Sequence, residues 1–294
     1  MADKKLRIGQ YTVELSHLEK KMYPEAGITK GDVVDYYKRV APDMLRHMKN
    51  RPVVMHRFPD GIEGKDFYQK SVPDYFPDWI KRKKVQLREG GSEELVVVEK
   101  TADLVYLANQ ACLVLHVWMS RAESVEKPDK LVFDLDPAGD DFQEVKFAAR
   151  ELKKVLEKKG LTPFVMTTGS KGLHVTVPIK PVLSFDRVRE FAALLAEDLA
   201  EEFPDRLTTE SRKQKRRGRL LLDYMRNAYG QTSVVPYALR ALPGAPVVAP
   251  LDWEELAKSG LHPQSYSLRN IFSRLALKKD PWRNMFRRKK KLDI

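Results

Sequence analysis

Two aspartates stand close together at the end of an apolar stretch, residues 131–136. Side chains alternate between the two faces of a β-strand, so Asp134 and Asp136 would share one face and the apolar residues the other. Neighbouring like charges repel each other unless a cation lies between them, and carboxylate oxygens favour Mg²⁺ or Mn²⁺. The pair is therefore a candidate metal site, although two solvated aspartates at a strand end would give the same pattern.

A third carboxylate, Asp223, interrupts the otherwise apolar segment 220–224. An unpaired buried carboxylate is costly, so this side chain needs either a nearby arginine or a metal ion as its partner. Three carboxylates would complete a site for two divalent ions about 3.5–4 Å apart, an arrangement that activates an attacking oxygen and stabilises a leaving phosphate. Asp223 therefore favours phosphoryl chemistry over a solvated pair of aspartates.

A glycine-containing segment, residues 167–174, offers what phosphate groups would need. Glycines let backbone N–H groups approach phosphate oxygens, while hydroxyl and ammonium groups donate hydrogen bonds. The spacing is not that of a Walker A loop, and a hairpin turn with a solvated lysine remains the alternative. The candidate phosphate contacts are Thr168, Ser170, Lys171 and His174.

Two arginines, Arg226 and Arg240, follow Asp223 along the chain, and the basic run 212–217 precedes it. Arginine suits a triphosphate because its planar group donates paired hydrogen bonds. A charge run is more typical of a solvated loop. Nearer the N-terminus, we single out Lys20 and Lys30, and then Arg57, Phe67 and Tyr68, which combine charge with aromatic surface suited to stacking on an unpaired base.

The composition favours a polyanionic partner and excludes a membrane span. The formal net charge is +12, and such an excess is typical of proteins that bind nucleic acid. The longest apolar stretch, 111–119, is interrupted by His116 and is far shorter than the roughly 20 residues that cross a bilayer. The N-terminus shows no signal peptide, and the single Cys112 cannot form an internal disulfide, so we expect a cytoplasmic, nucleoid-associated protein.

The hydrophobic periodicity predicts an α/β (α+β) protein. Thr29 and Asp32 form a capping-box pattern that predicts a helix over 30–49. We expect a hairpin around the turn 89–92, with strands at 85–88 and 95–98. The basic residues 81–84 would lie just ahead of its first strand. Further strands are predicted at 131–136, 164–168, 173–177 and 219–224, with amphipathic helices along 142–156 and 185–203. We expect a mixed β-sheet core flanked by helices, as one domain over 1–286 with a basic tail at 287–294.

Six short segments occur in order along the chain. They are RFPDG (57–61), HVWMSR (116–121), LVFDLDP (131–137), GSKGLH (169–174), DYMRN (223–227) and PYALRA (236–241). As a set, and over nearly the whole chain, they resemble the polymerase domain of bacterial ligase D and its stand-alone relatives in non-homologous end joining. Those proteins belong to the archaeo-eukaryotic primase superfamily, so the resemblance implies a primase-type fold.

The resemblance also implies a function, namely a template-directed polymerase that fills gaps and extends 3′ ends at DNA double-strand breaks. Asp134, Asp136 and Asp223 would bind two divalent cations, Mn²⁺ or Mg²⁺. The incoming nucleoside triphosphate would be held by Thr168, Ser170, Lys171, His174 and Arg240, with Arg226 as a further contact. Lys20 and Lys30 would bind a 5′-phosphate, and Phe67 and Tyr68, with Arg57 nearby, would stack where the template bends.

The resemblance carries further expectations and two departures. Ribonucleotides would be preferred, the hairpin loop 88–94 would help two DNA ends meet, and Ku and a separate DNA ligase would be partners. His17 stands where an asparagine is common, and His56 where a lysine is common, so contacts to phosphates would be weaker or pH-dependent. The alternatives are a Mn²⁺-dependent Asp-x-Asp glycosyltransferase and a non-catalytic module that binds DNA ends.

Overall fold

The computed structural model describes residues 4–293, and these residues group into two compact units. The first unit contains the chain up to Trp118, Val234–Val248 and Ser267–Arg274; the second contains Met119–Ser233, Ala249–Tyr266 and the chain from Leu275. The predicted domain 1–286 begins before the first described residue, and the predicted tail 287–294 ends after the last one. The single catalytic domain stays a prediction. Within residues 4–293, no helix is long and apolar enough to cross a bilayer.

The first unit is built on a sheet with the strand order β9-β5-β8-β7, and β6 also pairs with β5. Its elements are β1 (Lys4–Ile8), β2 (Tyr11–Leu15), β3 (Lys21–Tyr23), β4 (Ile28–Thr29), α1 (Lys30–Met48), β5 (Arg51–Arg57), β6 (Phe67–Gln69), β7 (Lys81–Gln86), β8 (Ser92–Val98), α2 (Thr101–Asn109) and β9 (Cys112–Trp118). Helix α1 begins where predicted, because the Thr29 hydroxyl accepts from the Asp32 backbone N–H while the Asp32 carboxylate accepts from that of Thr29.

The predicted hairpin is confirmed, with one correction to its bounds. Strands β7 and β8 pair antiparallel, with Val85 opposite Glu93. The basic residues 81–84, expected to lie ahead of the hairpin, are part of β7, because each of them pairs with a residue of β8. The turn passes through Gly90 and Gly91, whose φ angles of 93° and 81° favour glycine.

The second unit contains a six-stranded sheet with the order β15-β16-β12-β14-β13-β18, in which only β15 and β16 pair in parallel. Its elements are β10 (Ser120–Arg121), β11 (Ser124–Pro128), β12 (Lys130–Asp136), α3 (Phe142–Lys158), β13 (Phe164–Thr167), β14 (Leu173–Pro178), α4 (Phe185–Glu202), β15 (Leu207–Thr208), β16 (Leu220–Asp223) and β18 (Pro250–Leu251). Strand β17 (Thr232–Val234) and helix α5 (Ile271–Leu277) each run across a boundary between the units. The predicted mixed sheet with covering helices is confirmed.

The core of the second unit lies on one face of this sheet. Leu131, Phe133 and Leu135 of β12 are fully buried there, in one apolar cluster with residues of α3 and α4. Both helices begin at side-chain caps: Asp141 accepts from the first-turn N–H groups of α3, and Ser184 from that of Arg187 in α4. The alternation predicted for 131–136 is confirmed, so Asp134 and Asp136 lie on the opposite face.

Candidate active site

The sheet register brings the three aspartates together on the face opposite the core. Asp134 of β12 lies directly opposite Asp223 of β16 on one side and His174 of β14 on the other. Directly paired residues of antiparallel strands project from the same face, so these three side chains form a row across the sheet. Asp136 lies two residues further along β12 on that face.

Asp134, at the centre of the row, is held as an ionised carboxylate. Its Oδ1 lies 3.3 Å from His174 Nε2, and its Oδ2 accepts from Arg226 Nε at 3.4 Å. Burial alone would raise the pKa of Asp134, but the charge and hydrogen bond of His174, with a smaller contribution from Arg226, lower the pKa to about 2. The site therefore carries at least one fixed negative charge.

Asp223 lies beside that charge, and its pKa is raised, whereas that of Asp134 is lowered. Burial raises the pKa of Asp223, the hydrogen bond from the Met225 N–H at 2.7 Å lowers it, and the neighbouring charge of Asp134 raises it again. Arg226 Nε lies 3.9 Å from Asp223 Oδ2, so one guanidinium is shared by both carboxylates. A cation is what this pair requires, and Arg226 supplies it in the described arrangement.

Asp136 has a partner of its own in Arg216, which donates from Nη1 to Asp136 Oδ2 at 2.8 Å. Arg216 is only 6% exposed and also donates to the carbonyl groups of Glu210 and Ser211. Sequence reasoning missed this residue, since it stands within the run 212–217 that resembles a solvated loop, and nothing in the run distinguishes it from its neighbours.

Asn227 was also missed, and it fixes the backbone beneath the site. Its Nδ2 donates to the carbonyl groups of Val132 at 2.7 Å and Tyr224 at 2.8 Å, and its Oδ1 accepts from the Val132 N–H at 2.8 Å. Asn227 thereby ties the segment that carries Arg226 to β12. The motif DYMRN contained the residue, but its role depends on a contact that no spacing predicts.

The donor set fits a divalent cation by its chemistry, because carboxylate oxygens are the ligands that Mg²⁺ and Mn²⁺ prefer. In the described arrangement the three carboxylates face Arg216, Arg226 and His174 instead. Across residues 4–293, no group of three or more His, Cys, Asp or Glu side chains is drawn together closely enough to hold a metal ion.

The segment 168–172 forms a tight turn packed against β12. The Thr168 hydroxyl donates to the Gly172 carbonyl at 3.1 Å and accepts from the N–H groups of Ser170 and Gly172, so it shapes the turn. A Cβ at Gly172 would lie 2.0 Å from the Leu135 carbonyl oxygen. Glycine is therefore required at this position because β12 approaches so closely.

Lys171 projects from this turn into solvent. Its Nζ forms an ion pair with Asp140 Oδ1 at 2.8 Å, and the hydrogen bond that Lys171 donates to that carboxylate raises the pKa of Lys171. The charge of Asp136 acts on it in the same direction. The ammonium group thus lies within the electrostatic reach of the carboxylates, on a turn that β12 holds in place.

The predicted DNA contacts and Arg240 belong to the first unit. Lys20 Nζ pairs with Asp60 at 2.6 Å, whereas Lys30 is buried and donates from Nζ to the Ser16 carbonyl at 2.8 Å. The two lysines are joined by a backbone hydrogen bond from Lys30 to Lys20 at 2.8 Å. His17, with φ of 52°, occupies the left-handed region, in which asparagine, aspartate and histidine are all enriched, so histidine can stand in place of asparagine here without a change of backbone conformation.

The predicted aromatic pair lies at the surface. Phe67 is 44% exposed and Tyr68 59% exposed, although such pairs more often belong to a core. The Arg57 guanidinium lies 5.5 Å from the Phe67 ring, and the His56 ring stacks on Tyr68 at 4.0 Å. Tyr75, 61% exposed, accepts a hydrogen bond from Arg57 and extends this surface, which sequence reasoning had missed.

Arg240 follows Tyr237, whose φ of 69° marks a sharp bend in the backbone. The Arg240 carbonyl accepts from the hydroxyl of the buried Tyr23 at 3.0 Å, and its N–H donates to the Pro246 carbonyl. Its backbone is therefore fixed within the first unit, while the carboxylates, His174, Arg226 and the turn 168–172 belong to the second.

Comparison with known proteins shows which family this chain resembles. The family model described as LigD, primase-polymerase domain, matches residues 29–282. The bifunctional non-homologous end joining protein LigD of Bacillus subtilis is 34% identical over 94% of this chain, and the multifunctional non-homologous end joining DNA repair protein LigD of Mycobacterium tuberculosis is 33% identical over 90%. The chain spans only 44% and 36% of these two relatives.

A solved structure is similar over nearly its whole length. The polymerase domain from Mycobacterium tuberculosis ligase D, in complex with DNA, superposes with a TM-score of 0.88 at 30% identity, covering 94% of this chain and 98% of the other. The predicted resemblance and the primase-type fold are thereby confirmed. The chain belongs to the LigD primase-polymerase domain family.

Proposed function

We propose that this protein is a template-directed nucleotidyltransferase that fills gaps and extends 3′ ends at DNA double-strand breaks during non-homologous end joining. The observation that carries the proposal is the row of Asp223, Asp134 and His174 across three strands, with Asp136 on the same face. Family membership supports polymerase chemistry and leaves the glycosyltransferase alternative without support.

Asp134, Asp136 and Asp223 would hold two divalent cations, Mn²⁺ or Mg²⁺. When bound, such ions lower the pKa of an attacking hydroxyl and stabilise the charge of departing pyrophosphate. Two of these carboxylates share Arg226, which is 41% exposed in its side chain. Once the carboxylates have another cationic partner, Arg226 becomes available to the anionic triphosphate.

The turn 168–172 and its neighbours would bind that triphosphate. Lys171 and Ser170 would donate to phosphate oxygens from the exposed side of the turn, while Thr168 keeps the turn in shape through its internal hydrogen bonds. His174 would orient Asp134 and donate to a phosphate, and Arg240 is proposed as a further contact. The non-catalytic alternative gives no reason for placing three partly exposed carboxylates together, since such like charges lower stability and a pure binding role does not need them.

The first unit would bind DNA. Lys20 and Lys30 would contact a 5′-phosphate, and the exposed rings of Phe67 and Tyr68, beside Arg57, would stack on template bases. Ribonucleotides would be preferred over deoxynucleotides. Ku and a separate DNA ligase are the proposed partners, with the protein acting at the nucleoid.

The test is extension of a primer across a 5′-phosphorylated gap, with each nucleotide type and with Mn²⁺ or Mg²⁺. We expect ribonucleotide addition that depends on the metal. Lys20→Ala should remove the advantage of a phosphorylated gap over a hydroxylated one, while Lys158→Ala, at the exposed end of α3, should keep it. Absence of templated extension under all conditions would refute the function, and equal loss on both gaps would refute the role of Lys20.

A further inference from the structure

The C-terminal segment concentrates positive charge. Between residues 278 and 293 there are eight basic and two acidic residues, so this segment carries half of the net charge of +12. The basic tail predicted at 287–294 forms the second half of this segment. The proposed roles of the carboxylates, the turn 168–172 and the first unit use none of these residues.

Apolar anchors fix this segment to the second unit. The Trp282 indole is buried and donates to the Val165 carbonyl of β13 at 3.0 Å. Met285 and Leu292 are buried as well, and Lys290 forms a backbone bridge with Ile179, just beyond β14. The backbone that carries the cationic side chains is therefore fixed before any ligand arrives, which lowers the conformational entropy lost on binding.

An open groove of about 680 Å³ lies along this segment. Its lining includes Lys279, Arg283 and Arg288, together with Phe164, Asp252 and Lys278. Lys278 is neutralised by Asp252 and by Glu255 at 3.4 Å. Lys279, Arg283 and Arg288 are exposed, and within residues 4–293 their side chains form no ion pair, so the groove keeps unpaired positive charge.

The groove lies on the same side of the sheet as the aspartates. Phe164 of β13 pairs with Thr176 of β14, which pairs with Val132 of β12, and Val132 shares its face with Asp134. Phe164 lies two strands away from Asp134 and two residues along the strand direction, which places their Cα atoms about 12 Å apart. Along one strand of a duplex, that length corresponds to about three or four phosphates.

We infer that this groove, defined by Lys279, Arg283 and Arg288, is a second nucleic-acid contact that binds the sugar-phosphate backbone of a strand extending from the carboxylate row. The nature of the polyanion rests on the proposed function. Lysine and arginine at fixed positions neutralise successive phosphates and release counterions, so the contact strengthens binding without reading sequence.

The test compares the wild type with two triple variants. Lys279→Ala, Arg283→Ala and Arg288→Ala together remove the groove cations. Lys154→Ala, Lys158→Ala and Lys159→Ala remove the same charge from exposed positions of α3 or its end, on the core side of the sheet. Binding of a labelled gapped duplex is measured by fluorescence anisotropy between about 50 and 200 mM salt, without metal or nucleotide.

The groove variant should reduce the slope of log K against log salt by about 2.7, or about 0.9 for each lost phosphate contact. The α3 variant should keep the wild-type slope. Equal slopes for all three proteins would overturn the inference and would make an acidic protein surface the alternative occupant of the groove. An equal reduction of the slope in both variants would also overturn it. If the wild type extends primers while the groove variant binds normally, the inference fails and the proposed function stands; if the wild type neither binds nor extends DNA, both fail.

A cross-linking experiment tests the contact without removing charge. Asn284, exposed in the groove, is replaced by cysteine and coupled to a photoreactive group. Cys112 is buried, and burial raises the pKa of its thiol to about 12, so it does not compete for the reagent. DNA should become cross-linked at position 284 and not at Lys158→Cys; the reverse pattern would overturn the inference.

Discussion

The two faces of strand β12 are made by alternating residues of one short segment, yet they affect stability in opposite ways. On one face, Leu131, Phe133 and Leu135 are fully buried against α3 and α4. On the other face, the negative charge of Asp134 is compensated by His174 and Arg226. The charge of Asp136 is compensated by Arg216. The apolar face stabilises the fold, whereas the acidic face concentrates like charge at the expense of stability.

This difference indicates how the site is positioned. Carboxylates that repel one another do not fix their own geometry, so the buried face, together with Asn227 and the cationic partners, must do so. Because the same backbone carries both sets of side chains, any shift of the apolar residues moves the aspartates as well. Substitutions on the two faces should therefore separate into effects on stability and effects on activity.

The largest expected effect on stability is that of Phe133→Ala, on the apolar face. Removing a fully buried phenylalanine leaves a cavity and should lower the free energy of unfolding by about 3–5 kcal/mol. Urea denaturation followed by circular dichroism measures the change. A loss as small as that of an exposed substitution such as Lys158→Ala would contradict the assignment of this face as the core.

A smaller effect is expected where the turn 168–172 meets β12. In Gly172→Ala the new methyl group would lie 2.0 Å from the Leu135 carbonyl oxygen, so the turn or the strand must shift. We expect a loss of about 1–3 kcal/mol in unfolding free energy, together with weaker nucleotide binding. Gly139→Ala is the matched control, since a Cβ there meets no atom within 4 Å. Equal behaviour of the two variants would show that the close approach is unimportant.

The smallest effect on stability is expected for Asp223→Asn, on the acidic face. The amide oxygen can still accept from the Met225 N–H, while the repulsion with Asp134 is removed. The free energy of unfolding should stay within about 1 kcal/mol of the wild type, although extension is lost. Large destabilisation would mean that the carboxylate serves the fold instead of the chemistry.

Much of this arrangement could be predicted from short-range patterns. The alternation of apolar and acidic residues over 133–136 indicated the strand and its two faces, and the spacing of Thr29 and Asp32 indicated the start of α1. Helix α2 was not predicted, because its apolar stretch, residues 104–108, is too short for a helical period to be distinguished from that of a strand.

What the sequence could not predict depends on contacts between distant residues. The pairing of Arg216 with Asp136 joins positions 80 residues apart, and the bonds from Asn227 to Val132 join positions 95 apart. The internal role of the Thr168 hydroxyl and the need for glycine at 172 arise only when the turn packs against β12. Metal ligation by the three aspartates stays a prediction.

The central claim is that the acidic face of β12 performs nucleotidyl transfer. The most direct measurement is the rate of primer extension by Asp134→Asn on a gapped duplex, with DNA binding measured in parallel. Asp140→Asn is the control, because this exposed carboxylate is near the turn but pairs only with Lys171 among the described residues. The rate should fall by about 100- to 1,000-fold in Asp134→Asn, while DNA binding is retained. The rate of Asp140→Asn should stay close to that of the wild type. Extension by Asp134→Asn at the wild-type rate would contradict the account.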